Sequence, residues 1–232
     1  MNRAAQAVLL LLFGGAMVKA GVTDLSLRFV KEGLRPFLVA AGLVLLAAAV
    51  ATLWHERARP PGEHEHGHEP RVGWLLLLPV CGLLVVPPPA LGSYAAGRTG
   101  TALTAPADSV YPALPAGDPA PVSLLDYATR AVFDDGRTLR GRTVRLVGFV
   151  TPGADGQPML TRMVLSCCAA DGRPIKVGLI GNTPAGLGPD TWVRVDGGYV
   201  ARTGTDEINQ AAVPYLEVRA WERVPAPRNP YE

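Results

Sequence analysis

The sequence predicts two unlike parts: N-terminal transmembrane α-helices, and a C-terminal small all-β domain, an OB-like barrel with one preceding helix. Three observations carry that prediction. Apolar residues make up 48% of the 232-residue chain against 18% charged, and the apolar excess is concentrated in three long runs before residue 97. Residues 97–121 are then rich in Pro, Ala, Gly and Thr. Beyond Gly136 the hydrophobic period becomes two, in short runs separated by Gly, Pro and Asp. The implied domains are a membrane part over 1–96, a linker over 97–121 and a soluble barrel-like domain over 122–232.

The first apolar run, Ala4 to Val18, follows Met1-Asn-Arg3, and extended to Val22 it reaches the length of a membrane-crossing helix. Val18-Lys19-Ala20 before Gly21 also resembles a leader cleavage site, but a retained anchor is the preferred reading because further spans follow. Residues 23–35 mix Leu25, Leu27, Phe29, Val30 and Leu34 with Arg28, Lys31 and Arg35, as suits a segment at the headgroup boundary. Pro36 to Trp54 carries no charge and is the clearest span. Pro36 sits in its first turn and Trp54 at the level of an aromatic belt.

All four histidines follow, within His55 to Glu69. His64, His66 and His68 alternate with Glu63, Glu65 and Glu69, a composition that captures divalent metal, while Pro60-Pro61-Gly62 prevents a helix through the centre. The expected binding is weak and exchangeable, and a merely solvated loop is the competing reading. The third run, Val72 to Val86, is short before Pro87-Pro-Pro89. Together with the residues that follow it reads as a tilted span over about 72–94, anchored by Trp74 and Tyr94, with Cys81 inside it. If it crosses, the His tract and the C-terminal cysteines lie on opposite faces of the bilayer. Flanking basic residues tie between the two orientations. The charge beside the first span and the long tether after the third favour a cytoplasmic N-terminus and an extracytoplasmic barrel at the cell membrane.

In the soluble part, Ser123-Leu-Leu-Asp126 fits a variant capping box, and Leu124, Leu125, Ala128, Ala131 and Val132 share a helical face that ends near Asp134-Asp-Gly136. Thr143 to Val150 alternates and contains Gly148, the signature of a bulge or tight bend. Met159 to Cys167, Ile175 to Ile180, Trp192 to Val200 and Leu216 to Trp221 complete five strands. A glycine-bent first strand among five favours a small closed barrel, with an open sandwich as the alternative.

Cys167 and Cys168 stand next to each other at the end of the second strand, followed by Asp171. Consecutive Cα atoms lie about 3.8 Å apart, below the usual disulfide span, so two free thiols are expected. In a regular strand the two side chains would face opposite ways, so a shared task requires the strand to stop or bulge here. Ala169-Ala-Asp-Gly172 before Pro174 supplies such a stop. A thiolate metal clamp or reactive thiol, with Asp171 as an oxygen ligand or orienter, is one reading. Two small buried hydrophobes at a strand end is the other.

Several function classes fall away. Residues 97–232 carry 14 basic and 14 acidic side chains, which supplies no patch for nucleic acid. This half holds no histidine, so no Cys-His or Ser-His pair forms within it, and no phosphate-cradling loop is present. The chain is not expected to be an enzyme.

The apolar runs, the His-rich loop, Pro87-Pro88-x-x-Leu91-Gly92, Val147-Gly-Phe-Val150 and Thr161-Arg-Met-Val-Leu-Ser-Cys-Cys-Ala-Ala-Asp171 together resemble the YcgQ-like family of bacterial membrane proteins, described as permease subunits. The resemblance runs over nearly the whole chain and is most specific from Arg162 to Asp171. It implies that Arg162, Cys167, Cys168 and Asp171 are shared positions, with Trp192 to Gly197 and Pro214 beside them, and that a separate multi-span permease in the bilayer is the partner. The three runs hold no buried acid or base to line a pathway, so an accessory role fits better than transport itself. The expected cofactor is a divalent metal such as zinc, taken by Cys167, Cys168 and Asp171 and by His64, His66 and His68. A structural or interaction subunit with no metal site is the alternative, and a thiol-redox protein is disfavoured by the missing Cys-x-x-Cys.

Overall fold

The computed structural model describes residues 3–57, 82, 85–86, 88–105, 111–153 and 156–232. The third apolar run and His64, His66 and His68 lie almost wholly or wholly outside them. The chain divides into two compact units, Met1–Ala90 and Leu91–Glu232.

In the first unit, α1 (Arg3–Val22) packs on α2 (Arg35–Arg57), and two 3-10 turns, Asp24–Arg28 and Glu32–Leu34, join them. The helices meet at glycines. A Cβ on Gly14 would stand 2.8 Å from the Gly42 carbonyl oxygen, and one on Gly42 would stand 2.8 Å from Val18, so the two backbones approach as only small residues allow. Two helical stretches, Ala5–Val22 and Glu32–His55, are long and apolar enough to cross a membrane. A leader sequence shares those properties with the first. A buried core helix does not match the second, whose Phe37 and Trp54 are 70% and 73% exposed. The 23–35 segment forms the turns between them, held by Thr23 as N-cap and by Arg35, which donates to the Gly21 carbonyl and pairs with Asp24.

The second unit is a closed mixed barrel with a helix before it. A two-residue β1 (Ala120–Pro121) leads into α3 (Leu124–Phe133). The strands β2 (Thr143–Pro152), β3 (Pro158–Val164), β4 (Arg173–Gly181), β5 (Trp192–Thr205) and β6 (Ala212–Arg223) follow. Pairing runs β2-β3-β4-β6-β5 and returns from β5 to β2, antiparallel except for β4 with β6, which is parallel. Closure removes the free edges and agrees with the OB-like expectation. β2 changes partner next to Gly148, at Phe149, which is the last residue to pair with β5 and the first to pair with β3. A Cβ on Gly148 would stand 2.7 Å from the Thr161 carbonyl oxygen, so the bend requires glycine.

Leu146, Leu160, Ile175, Val177, Leu179, Val193, Val195 and Leu216 fill the barrel, and α3 covers it with Leu124, Tyr127 and Ala128. Tyr127 is fully buried and its hydroxyl donates to the Tyr215 carbonyl at 2.6 Å. Burial raises its pKa far above the ordinary phenol value, with the nearby Tyr199 adding to the shift. The cap of α3 is half as the sequence predicts. Ser123 accepts from the Asp126 N–H at 3.0 Å, but the next orphan N–H groups, of Leu124 and Leu125, are taken by the two carboxylate oxygens of Glu232, each at 3.0 Å. The tail that delivers Glu232 is fixed against β3, where Glu232 donates its N–H to the Met163 carbonyl and Leu165 donates to the Glu232 carbonyl.

Within 97–121, residues 99–103 rest on the barrel instead of running free. Ala102 donates to the Pro174 carbonyl, and the buried Thr101 donates its N–H to Asp206 while its hydroxyl accepts from the Lys176 N–H. Lys176 and Asp206 form a buried ion pair at 2.8 Å, and Lys176 also donates to the Thr99 carbonyl. Burial alone would raise the Asp206 pKa, but the Lys176 hydrogen bond and the N–H groups of Ile208 and Thr101 outweigh it and hold the carboxyl low.

Candidate metal centre

The cysteines lie in the β3–β4 connection. Strand β3 stops at Val164, three residues before Cys167, so the run read as a strand as far as Cys167 is shorter than its apolar pattern suggests. The reason lies on both sides of the stop: the C-terminal tail engages the backbone at Met163 and Leu165, and Ser166 onward turns to Asp171. A 3-10 turn, Ala169–Asp171, then delivers the chain to β4.

Asp171 builds this loop. Its carboxylate accepts from the N–H groups of Ser166 at 2.9 Å, Cys167 at 2.8 Å and Cys168 at 3.3 Å. Three donors fold the backbone around one anion, which is why adjacent cysteines that would diverge in a strand converge here. The two sulfurs and a carboxylate oxygen all lie within 4.8 Å of one another, with Cys167 exposed and Cys168 and Asp171 half-buried. Both thiols are free. Gly172, next to the ligand turn, leaves room for Leu91 and Leu165, since a Cβ would meet Leu91 Cδ1 at 2.3 Å and Leu165 Cδ2 at 3.2 Å and displace the Leu91 side chain.

Electrostatics separate Cys167 from a reactive nucleophile. Hydrogen bonding of the Cys167 thiol to Asp171, then contact with Cys168, pushes the Cys167 pKa up to about 11. The same thiol bond, aided by the three backbone N–H groups, lowers Asp171 to about 2 against the opposing cost of burial. At neutral pH Cys167 is a thiol and Asp171 a carboxylate, the reverse of the lowered thiol pKa that a catalytic cysteine needs. No Lys or Arg forms an ion pair with Asp171 among the described residues. The cluster has two sulfur donors and one oxygen donor, a set that fits a soft or borderline cation such as zinc, and three protein ligands leave a fourth position open. The group can therefore hold a metal ion.

Arg162 is not part of this cluster. From β3 it donates to the carbonyls of Val147 and Asn229, lies over the Trp192 ring and stands 3.8 Å from Glu232, so it fastens the tail to the barrel. Desolvation lowers its pKa and Glu232 partly restores it. In the sequence Leu91 stands out only within the Pro87-Pro88-x-x-Leu91-Gly92 segment, and Glu232 not at all, because both shape the loop's surroundings across more than 65 residues.

Residues 130–232 match the family described as the DUF1980 C-terminal domain. No curated protein and no solved structure matches the chain. The DUF1980 match takes in the last turn of α3, all five barrel strands, the Cys-Cys-Asp loop and the tail through Glu232. It supports kinship with a related family over the barrel half without reaching the specific YcgQ-like assignment, and it leaves the apolar helices and residues 91–103 outside.

Proposed function

We propose that the chain is a non-enzymatic accessory subunit of a multi-span membrane permease, and that it holds or hands over a divalent metal through Cys167, Cys168 and Asp171. The observation that carries this reading is the convergence of two free sulfurs and a carboxylate oxygen within 4.8 Å on an exposed loop. Asp171 folds the loop and offers an oxygen. The two thiols release their protons to water as a cation takes their place, and a bound cation would supply the positive charge that the cluster lacks. Exposure of Cys167 and an open coordination position suit transfer more than permanent storage. The two apolar helices suit a membrane anchor, with the barrel on the extracytoplasmic side. His64, His66 and His68 would serve as a separate, weaker collecting tract.

One observation favours a second reading, a docking subunit without metal. Asp171 already satisfies three N–H groups, which is sufficient reason for an acid at this position.

Metal analysis of the full-length chain, purified anaerobically in detergent, separates the two. About one zinc or similar ion per chain is expected, lost in both Cys167→Ser and Cys168→Ser and kept when Glu63 to Glu69 are deleted. Equal metal content in the wild type and both serine variants would overturn the proposal and leave the docking reading.

A further inference from the structure

The loop that carries the cysteines is also the seat of the strap that enters the barrel unit. Leu91 is the first residue of that unit. Its side chain fills the space over Gly172, where even a methyl group would collide with Cδ1, and its N–H donates to the Tyr231 hydroxyl at 2.9 Å. Two residues on, Ser93 is clasped by Asp190, which accepts from both its N–H and its hydroxyl. The far end of the strap is anchored separately, at Thr99 and Thr101 by Lys176 and Asp206 and at the Thr101 carbonyl by Asn209. The strap thus has one end on the Cys-Cys-Asp loop and the other on a buried ion pair.

From this arrangement we infer that metal occupancy of the Cys167–Cys168–Asp171 group releases Leu91 from its seat on Gly172, so that the strap leading back to the apolar helices reports whether the site is filled. The inference rests on the metal reading proposed above. Its physical basis is competition for one carboxylate. Without a cation, Asp171 spends its oxygens on the N–H groups of Ser166, Cys167 and Cys168, and that closure sets the position of the turn ending at Gly172. A cation drawing on the same carboxylate and on both sulfurs weakens those bonds and moves the 169–172 turn. Gly172 lies against the Leu91 and Leu165 side chains, so that movement is felt first at Leu91. A ligand that favours one of two loop positions shifts the strap toward the matching state, and the coupling is reciprocal: emptying the seat must strengthen metal binding.

The test uses the full chain in detergent with Zn2+ as the probe. Leu91→Ala is expected to tighten Zn2+ binding at least about fivefold, the lower end of ordinary coupling between sites. Asn209→Ala, which loosens the far anchor and its bond to the Ala211 N–H but does not touch the seat on Gly172, is expected to leave the affinity unchanged, so general loosening of the domain would move both variants and coupling only the first. In the wild type, Zn2+ is expected to speed amide hydrogen exchange over residues 91–97. A Leu91→Ala affinity within about twofold of wild type, equal shifts in both variants, or exchange unaffected by Zn2+ would overturn the inference while leaving the metal site standing. A wild-type chain that binds no metal would remove both.

Discussion

Asp206 and Asp171 perform the same backbone task in opposite surroundings. Asp206 gathers the N–H groups of Thr101 and Ile208, and Asp171 gathers those of Ser166, Cys167 and Cys168. Asp206 is buried, and Lys176 matches its charge at 2.8 Å. Asp171 is half-buried, forms no ion pair with Lys or Arg among the described residues, and has two thiols beside it. A carboxylate whose charge is already matched by a fixed lysine has nothing left to offer a cation. One that organises its loop without a counter-charge, and stands within reach of two sulfurs, has both the ligand atoms and the electrostatic reason to take one. The same residue type is scaffold in one loop and scaffold plus candidate ligand in the other, and the lysine fixed beside Asp206 makes the difference.

The sharpest way to break this comparison is to remove the lysine. Lys176→Met leaves Asp206 buried with no counter-charge and is expected to cost about 3–5 kcal/mol, read as the loss in denaturant unfolding at neutral pH. Metal content should not change, since Lys176 belongs to the other loop. Lys176→Met combined with Asp206→Leu should recover much of the loss, because an apolar pair avoids the stranded charge. Failure of the single variant to destabilise would mean that Asp206 is not the buried, matched charge described here.

A third carboxylate extends the comparison. Glu232 accepts from the Leu124 and Leu125 N–H groups and has Arg162 at 3.8 Å, so it resembles Asp206 in having a nearby cation. Its work is helix capping, and Glu232→Gln is expected to cost about 1 kcal/mol with faster amide exchange confined to the first turn of α3. A loss as large as that of Lys176→Met would instead make the tail a main support of the barrel.

The barrel was legible in the sequence because its signals are local. Period-two runs mark the strands, Ser123 marks the start of α3, and Gly148 marks the bend in β2, each readable from its neighbours. The cluster was half legible. Adjacency of Cys167 and Cys168 and the nearby Asp171 pointed to a shared task if the strand ended, and it ends at Val164. What could not be read is who ends it. Glu232 meets Leu124 across 108 positions, Tyr231 meets Leu91 across 140, and Lys176 meets Asp206 across 30. None of these pairs leaves a pattern in its own segment. For the same reason residues 99–103, among small residues and prolines, read as linker while their contacts are with β4 and the β5–β6 loop.

The smallest stability effect is also the most diagnostic. Asp171→Asn keeps one acceptor oxygen but places an NH2 where the second oxygen received N–H groups, and it removes the charge. Water reaches this loop, so the loss should be well below that of Lys176→Met. The difference between wild type and variant should depend on pH in one direction. Asp171 has its pKa lowered from an ordinary 3.8 to about 2, so the stability it adds is present above the ordinary value and drains away as pH falls through the lowered one. Asn cannot titrate. Unfolding curves of the two proteins should therefore differ at neutral pH and converge on acidification toward about pH 2, with other carboxylates cancelling because both proteins share them. A difference that stays constant with pH would mean that the loop is not built on an ionised Asp171. The comparison with Asp206 would then fail at its foundation.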